Sequence, residues 1–166
     1  MPELFLLRHA KSDWSDPGLS DIERPLNARG RGAARAMGRY LAGRGRIDAV
    51  WGSPAERVGE TIDGLRAAFE DLPHARIVER LYAARAETLL EVLHEADCKR
   101  LLLVAHNPGL HDLAMLLTRD RDSEARRRLA SKFPTAALAE ISFDGDWQDL
   151  DAGSARVAGF TRPRDL

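Results

Sequence analysis

The sequence predicts an α/β fold with a largely parallel sheet. Short apolar runs alternate with stretches of helical periodicity along the 166 residues, which is how strand–helix–strand units read. The runs themselves carry few polar interruptions, as expected of strands buried on both faces. The length suits one domain over residues 1–166, since two would each be small for an independent core. No repeat, low-complexity tract or linker divides the chain.

The first run, Leu4 to Leu7, reads as a buried strand. A loop rich in Asp, Ser, Pro and Gly follows from Lys11 to Pro25. Asn27 is a good N-cap for a helix with Ala33, Met37, Tyr40 and Leu41 on one face, ended by Gly43-Arg44-Gly45. A second strand spans about Asp48 to Trp51 and stops at Gly52-Ser53-Pro54, where Ser53 can cap the next helix and Pro54 fits its first position. That helix carries Val58, Ile62, Leu65 and Phe69, at offsets of four, seven and eleven. Arg76 to Glu79 is a weak third strand, and Leu89, Leu90 and Leu93 mark a short helix. Leu101 to Ala105 is the strongest strand, followed by His106-Asn107-Pro108-Gly109 and a helix bearing Leu110, Leu113, Ala114 and Leu117. Residues 119–132 are charged and read as a loop with a solvated helix from Ser123. Ala137 to Phe143 reads as a strand, Asp144-Gly145 as a hairpin turn and Trp147 to Leu150 as the strand's partner.

Composition narrows the function. Lys plus Arg is 25 and Asp plus Glu 26, for a net charge of −1, so the total favours no nucleic-acid or acidic-lipid partner. Only Lys11, Lys99 and Lys132 are lysine; the remaining basic residues are arginine. Cys98 is the one cysteine, so no internal disulfide can form, which suits a reducing cytoplasm. No stretch approaches the roughly 20 apolar residues of a membrane span. The Leu4–Leu7 run is too short for a signal peptide and ends in Arg8. The expectation is a soluble, cytoplasmic protein with no membrane partner.

In an open parallel α/β sheet, ligands bind beyond the carboxyl ends of the strands. The first strand ends in Arg8-His9, the second leads to Ser53-Pro54-Ala55-Glu56-Arg57, and the fourth ends in His106-Asn107. Two histidines and two arginines thus reach one sheet edge, beside helix N-termini that supply free N–H groups. Imidazoles, guanidinium groups and N–H donors together describe a phosphate site. Arg57 in a helix's first turn opposes the helix dipole, a mismatch that a bound anion would remove.

Other chemistries fit less well. His106 and His111 are five residues apart, about 140° around a helix, and no Cys or carboxylate completes a ligand set, so no metal is expected. Cys98 precedes a strand and lacks an arginine six residues later, which excludes a cysteine-dependent phosphatase. Gly30-Arg31-Gly32 has no strand directly ahead of it, and there is no Walker loop. No cofactor is expected.

Leu6-Leu7-Arg8-His9-Ala10 resembles the Arg-His-Gly/Ala motif of the histidine phosphatase (phosphoglycerate mutase-like) superfamily. Pro25-Leu26-Asn27-Ala28-Arg29-Gly30 resembles its helix-entry motif. Ser53-Pro54-Ala55-Glu56-Arg57 with Glu60-Thr61 resembles its second Arg motif, and Ala105-His106-Asn107-Pro108 its second His motif. The four occur in family order and span residues 4–110. Arg8-His9-Ala10-Lys11-Ser12, the short chain and the absence of lid insertions look most like the SixA-type phosphohistidine phosphatase branch.

The resemblance implies a three-layer α/β/α sandwich with a mostly parallel central sheet, phosphoglycerate mutase-like. It implies His9 as nucleophile, with Arg8, Arg57 and His106 binding the phosphoryl oxygens, and Ser12 and Asn107 beside the phosphate. A neutral imidazole can accept a phosphoryl group, splitting one hard displacement into two. Guanidinium forks then stabilise charge on the equatorial oxygens, without a metal. One departure matters: many members carry a glutamate just after the third strand as proton donor, whereas this chain reads Glu79-Arg80-Leu81-Tyr82-Ala83-Ala84. Glu87, Asp13 or Asp16 are the candidate substitutes. The expected function is dephosphorylation of phosphohistidine on a protein. The alternatives are a phosphomonoesterase acting on a small phosphorylated substrate and a non-catalytic phosphoryl-binding protein. Oligomeric state and pathway are not encoded in any of these motifs.

Overall fold

The computed structural model of the chain describes residues 1–119 and 122–166. The part of the expected charged loop at 120–121 lies outside the described residues. Among the described residues, one sheet holds β1 (Glu3–Arg8), β2 (Ala49–Gly52), β3 (Ala75–Ile77), β4 (Arg100–Ala105), β5 (Leu138–Phe143) and β6 (Ala155–Thr161), in the order β3-β2-β4-β1-β5-β6. The helices are α1 (Ala28–Ala42), α2 (Glu56–Ala68), α3 (Ala86–Leu93), α4 (Gly109–Leu117) and α5 (Glu124–Ser131). Pairing is parallel from β3 through β2 and β4 to β1, and antiparallel from β1 to β5 and from β5 to β6.

The apolar runs become central strands because both faces are covered. On β1, Leu4 and Leu6 face a core shared with Leu89 and Leu93 of α3, Leu110 and Leu113 of α4 and Leu129 of α5. Phe5 and Leu7 point the other way, to Met37 and Leu41 of α1 and to Val58, Ile62 and Leu65 of α2. Side chains alternate across a strand, so a run without polar residues needs a helix layer on each side. Each such leucine contributes about 1.5–3 kcal/mol by leaving water. The result is the three-layer α/β/α architecture, mostly parallel at its centre.

Local signals set most helix ends. The Asn27 side chain accepts from the Gly30 N–H at 2.8 Å, and Ser123 caps α5 by accepting from the Arg126 N–H at 3.1 Å. Position 30 must be glycine for a packing reason: a Cβ there would fall on the Lys11 carbonyl oxygen, so α1 lies tight against the loop that follows β1.

Two expectations need correction. Ser53 does not cap α2, which begins at Glu56 with Ala55 at the N-cap; the Ser53 hydroxyl is engaged by a histidine instead. Trp147 to Leu150 is not the hairpin partner of β5. Residues Trp147–Asp149 form a 3-10 turn, and the partner is β6, at Ala155–Thr161. Trp147 and Leu150 are both buried, with Trp147 edge-on to Phe143 and its Nε1 donating to the Cys98 carbonyl at 2.5 Å. Buried residues at i and i+3 suit a helical turn, whereas a strand would place them on opposite faces.

Candidate active site

The loops beyond the carboxyl ends of β1, β2 and β4 converge, as the topology requires of adjacent parallel strands. His9 follows β1 and His106 follows β4, and their ring centroids lie 5.2 Å apart. Both imidazoles are 7% exposed and Arg57, in the first turn of α2, is 8% exposed. Arg57 Nη2 lies 3.3 Å from His106 Nδ1.

Hydrogen bonds fix the tautomers. His9 Nδ1 sits 2.8 Å from the Ala10 carbonyl, which can only accept, so Nδ1 carries the proton and Nε2 keeps its lone pair. A guanidinium only donates, so His106 Nδ1 accepts from Arg57 and the proton lies on Nε2, which donates to Ser53 Oγ at 2.6 Å. Both rings are neutral. Burial lowers the His9 pKa to about 4, with Arg57 and Arg8 adding to the effect against the Ala10 carbonyl. Burial also lowers that of His106 to about 3, reinforced by His9 and Arg57.

Arg8, at the end of β1, donates from Nη1 to the Phe133 carbonyl at 3.1 Å, while its Nε is buried without a hydrogen-bond partner among the described residues. Burial lowers the Arg8 pKa. A half-buried guanidinium with a spare donor is poorly solvated, and an oxyanion is the group that would satisfy it.

Thr61 joins two of these loops. Its hydroxyl accepts from the Ala10 N–H at 3.0 Å and donates to the Arg57 carbonyl at 2.7 Å, tying the β1 loop to the first turn of α2. Asp21 comes from the 3-10 turn Asp21–Glu23 in the loop after β1. Its carbonyl accepts from Arg57 Nη1 at 2.6 Å, and its carboxylate takes Arg57 Nη2 at 3.0 Å and the Tyr82 hydroxyl at 2.5 Å. The Tyr82 hydrogen bond, with Arg57, holds the Asp21 carboxyl below its ordinary range, so it stays ionised. Tyr82 also stands edge-on to His106, 5.5 Å between centroids. Asp21 thereby offsets the clash between Arg57 and the dipole of α2.

Of the predicted site residues, His9, Arg57 and His106 are brought together, with Arg8 close enough to bias both histidines. Ser12 is buried and pairs through its backbone with Leu26; its carbonyl accepts from the Asn27 side chain at 3.4 Å. The Asn107 side chain is occupied, donating to the Phe133 carbonyl at 2.9 Å and accepting from the His111 N–H at 3.2 Å, so it braces the loop after β4. The candidate acids separate. Asp13 is half-buried and Asp16 exposed, and they accept from the Ser15 and Gly18 N–H groups in their own turns. Glu87 lines a cavity of about 610 Å³ together with Ala83, Ala84 and His106. Asp21, Tyr82 and the role of Ser53 escaped the sequence reading. Ser20 and Glu23 carry a capping-box pattern that marks the turn, but nothing local links Asp21 to Arg57.

The family model for the histidine phosphatase superfamily (branch 1) matches residues 4–82. An uncharacterized protein of Mycobacterium tuberculosis is 37% identical over 163 residues, covering 95% of this chain and 100% of that one. Structures from Nakamurella multipartitia and Agrobacterium tumefaciens, each proposed to be a phosphohistidine phosphatase SixA, are 28% identical with TM-scores of 0.82. Each likeness covers 98% of this chain, with 96% and 99% of theirs.

Proposed function

The chain belongs to the histidine phosphatase superfamily, in its SixA-type branch, and we propose from that premise that it is a phosphatase working through a phosphohistidine on His9, with phosphohistidine on a protein as its substrate. The observation that carries the reading is the hydrogen bond from His9 Nδ1 to the Ala10 carbonyl at 2.8 Å. It leaves Nε2 unprotonated on a ring whose pKa is about 4, so the nucleophile is ready at neutral pH without a base to activate it.

In the first step His9 Nε2 bonds to phosphorus as the P–N bond to the substrate imidazole breaks, and the departing nitrogen takes a proton from solvent. In the second step water attacks phosphorus, the P–N bond to His9 breaks, the attacking water gives up a proton to solvent, and inorganic phosphate leaves. Arg8 and Arg57 hold the equatorial oxygens, and His106 completes the positive cradle once a dianion raises its affinity for a proton. Asp21 and Tyr82 keep the Arg57 fork in place, while Thr61 holds the Arg57 backbone. An imidazole leaves far more readily than an alkoxide, so Ala83 and Ala84, at the place where many members hold a glutamate, suit phosphohistidine. The cavity that Glu87 shares with His106 favours a second reading, a small-molecule phosphomonoesterase with Glu87 as the acid.

The test is quenched-flow labelling with a 32P-phosphohistidine protein. The expected result is an acid-labile, base-stable adduct on His9, and loss of activity by several orders of magnitude in His9→Ala. An adduct on His106, or full turnover by His9→Ala, refutes the assignment.

A further inference from the structure

A second cavity, of about 640 Å³, is lined in part by Arg8 and shares no lining residue with the one that holds Glu87. Besides Arg8 it is walled by Lys11, Arg29, Arg128, Lys132, Arg162 and Arg164. Seven of the chain's 25 basic side chains therefore line one cleft of a protein whose net charge is −1. No carboxylate lines it. Asp165 stands beside it and is already committed, to Arg128 Nη2 at 2.7 Å and to Arg162 at 2.8 and 3.0 Å. Lys11, Arg29, Lys132 and Arg164 make no ion pair among the described residues.

Folding alone gives no reason to gather these charges. They repel one another, and Arg29 sits in the first turn of α1, a turn that carries no acid and where a cation opposes the dipole. The lining also identifies the kind of ligand. Small-molecule pockets are mostly apolar with a few polar groups, whereas the uncharged walls here are Ala33, Ser131, Pro134, Thr135 and Pro163. Lys11, Arg29, Lys132 and Arg164 are exposed, on long side chains that can follow an irregular anionic surface. Charge complementarity of this kind steers and orients a protein partner.

We propose that this cleft docks an acidic segment of the phosphoprotein, a run of Asp or Glu close to the phosphohistidine, and so selects which protein reaches His9. The proposal rests on the phosphohistidine reading for what is dephosphorylated but not for what is bound. Arg8 lines the cleft and directly precedes His9, so a segment seated in the cleft lies beside the residue that leads into the catalytic centre.

The test uses two labelled peptides without phosphate, identical except that one carries four glutamates beside its histidine and the other four glutamines. Fluorescence anisotropy at 50 and 300 mM salt measures binding to the full chain. The expected result is tighter binding of the glutamate peptide by about tenfold at low salt, falling with salt. That preference should vanish in Arg29→Glu/Arg164→Glu and shrink in Arg29→Gln/Arg164→Gln; among the described residues neither side chain makes an ion pair whose loss would unfold the chain. Equal binding of the two peptides overturns the proposal. So does a preference that the double variants retain, or displacement of the glutamate peptide only by competitors lodging outside the Arg29–Arg164 cleft. The phosphohistidine forms of both peptides are then offered as substrates. A glutamate peptide that binds in the cleft but is not dephosphorylated supports the docking surface and refutes the phosphohistidine reading, which keeps the two failures apart.

Discussion

Acidification should weaken the fold through His9, and by a calculable amount. The folded chain holds His9 neutral down to about 4 because its ring is buried, while the unfolded chain takes up that proton near the ordinary value of 6.5. Between those values the unfolded state binds more protons, so stability falls as pH drops from 6.5 toward 4 and is insensitive to this group above 6.5. At about 1.4 kcal/mol per pH unit, the interval is worth about 3 kcal/mol, a sizeable share of the 5–15 kcal/mol typical of a folded domain (range approximate). The assay is urea unfolding of wild type and His9→Gln at pH 7.5 and 4.5. The wild type should lose about 2–3 kcal/mol more than the variant over that range. Its kcat/KM for p-nitrophenyl phosphate, corrected for the ester's own ionisation, should show an enzyme limb near pH 4 rather than 6.5. Equal losses of stability, or an enzyme limb near 6.5, would refute the claim that burial keeps this imidazole neutral.

Three further outcomes follow from the same geometry. Arg57→Ala should lower kcat/KM by about 10² to 10³, the scale for removing one transition-state donor. Arg57→Lys should restore only part of it, because an ammonium cannot engage the phosphoryl group, the Asp21 carbonyl and its carboxylate as a fork. A near-wild-type Arg57→Ala places the phosphate elsewhere. With Ala83 and Ala84 where an acid would stand, kcat/KM across phosphate esters should fall steeply with leaving-group basicity; a flat profile that becomes steep in Glu87→Gln identifies Glu87 as a proton donor. Gly109→Ala should cost about 1–3 kcal/mol in urea unfolding, the usual penalty for overpacking, since its Cβ would fall on the Ala84 carbonyl oxygen. An unchanged midpoint would mean that the loop after Tyr82 shifts freely away from α4.

The helices and central strands were legible because each carries its own signal. The Asn27 and Ser123 caps are decided within one turn and the Val58, Ile62, Leu65 stripe over about two, and all are found where the pattern puts them, whereas Phe69, expected on the same helix, is buried as its C-cap just past Ala68. The C-terminal third was harder to read. Trp147 and Leu150 fit a strand by composition, but burial against Phe143 and the Cys98 carbonyl turned that segment into a helical turn and left the sheet edge to β6. The local signal is a short one, Asp149 accepting from the Asp146 N–H at 2.8 Å, and the burial partners that favour the turn lie elsewhere in the chain.

The sequence by itself determined the α/β class, the strands that run to the site, and that His9, Arg57 and His106 lie at their carboxyl ends, since parallel strands with crossover helices leave one edge for a ligand. Tertiary structure decided the rest. Asp21 meets Arg57 across 36 residues and Tyr82 across 61, and Arg8 shares a cleft with Arg29, Arg128 and Arg164. Such convergence depends on how distant loops pack, which no local periodicity records. The protonation state of His9 is of the same kind: the residue supplies an imidazole, and only burial among Arg8, Arg57 and His106 keeps it neutral.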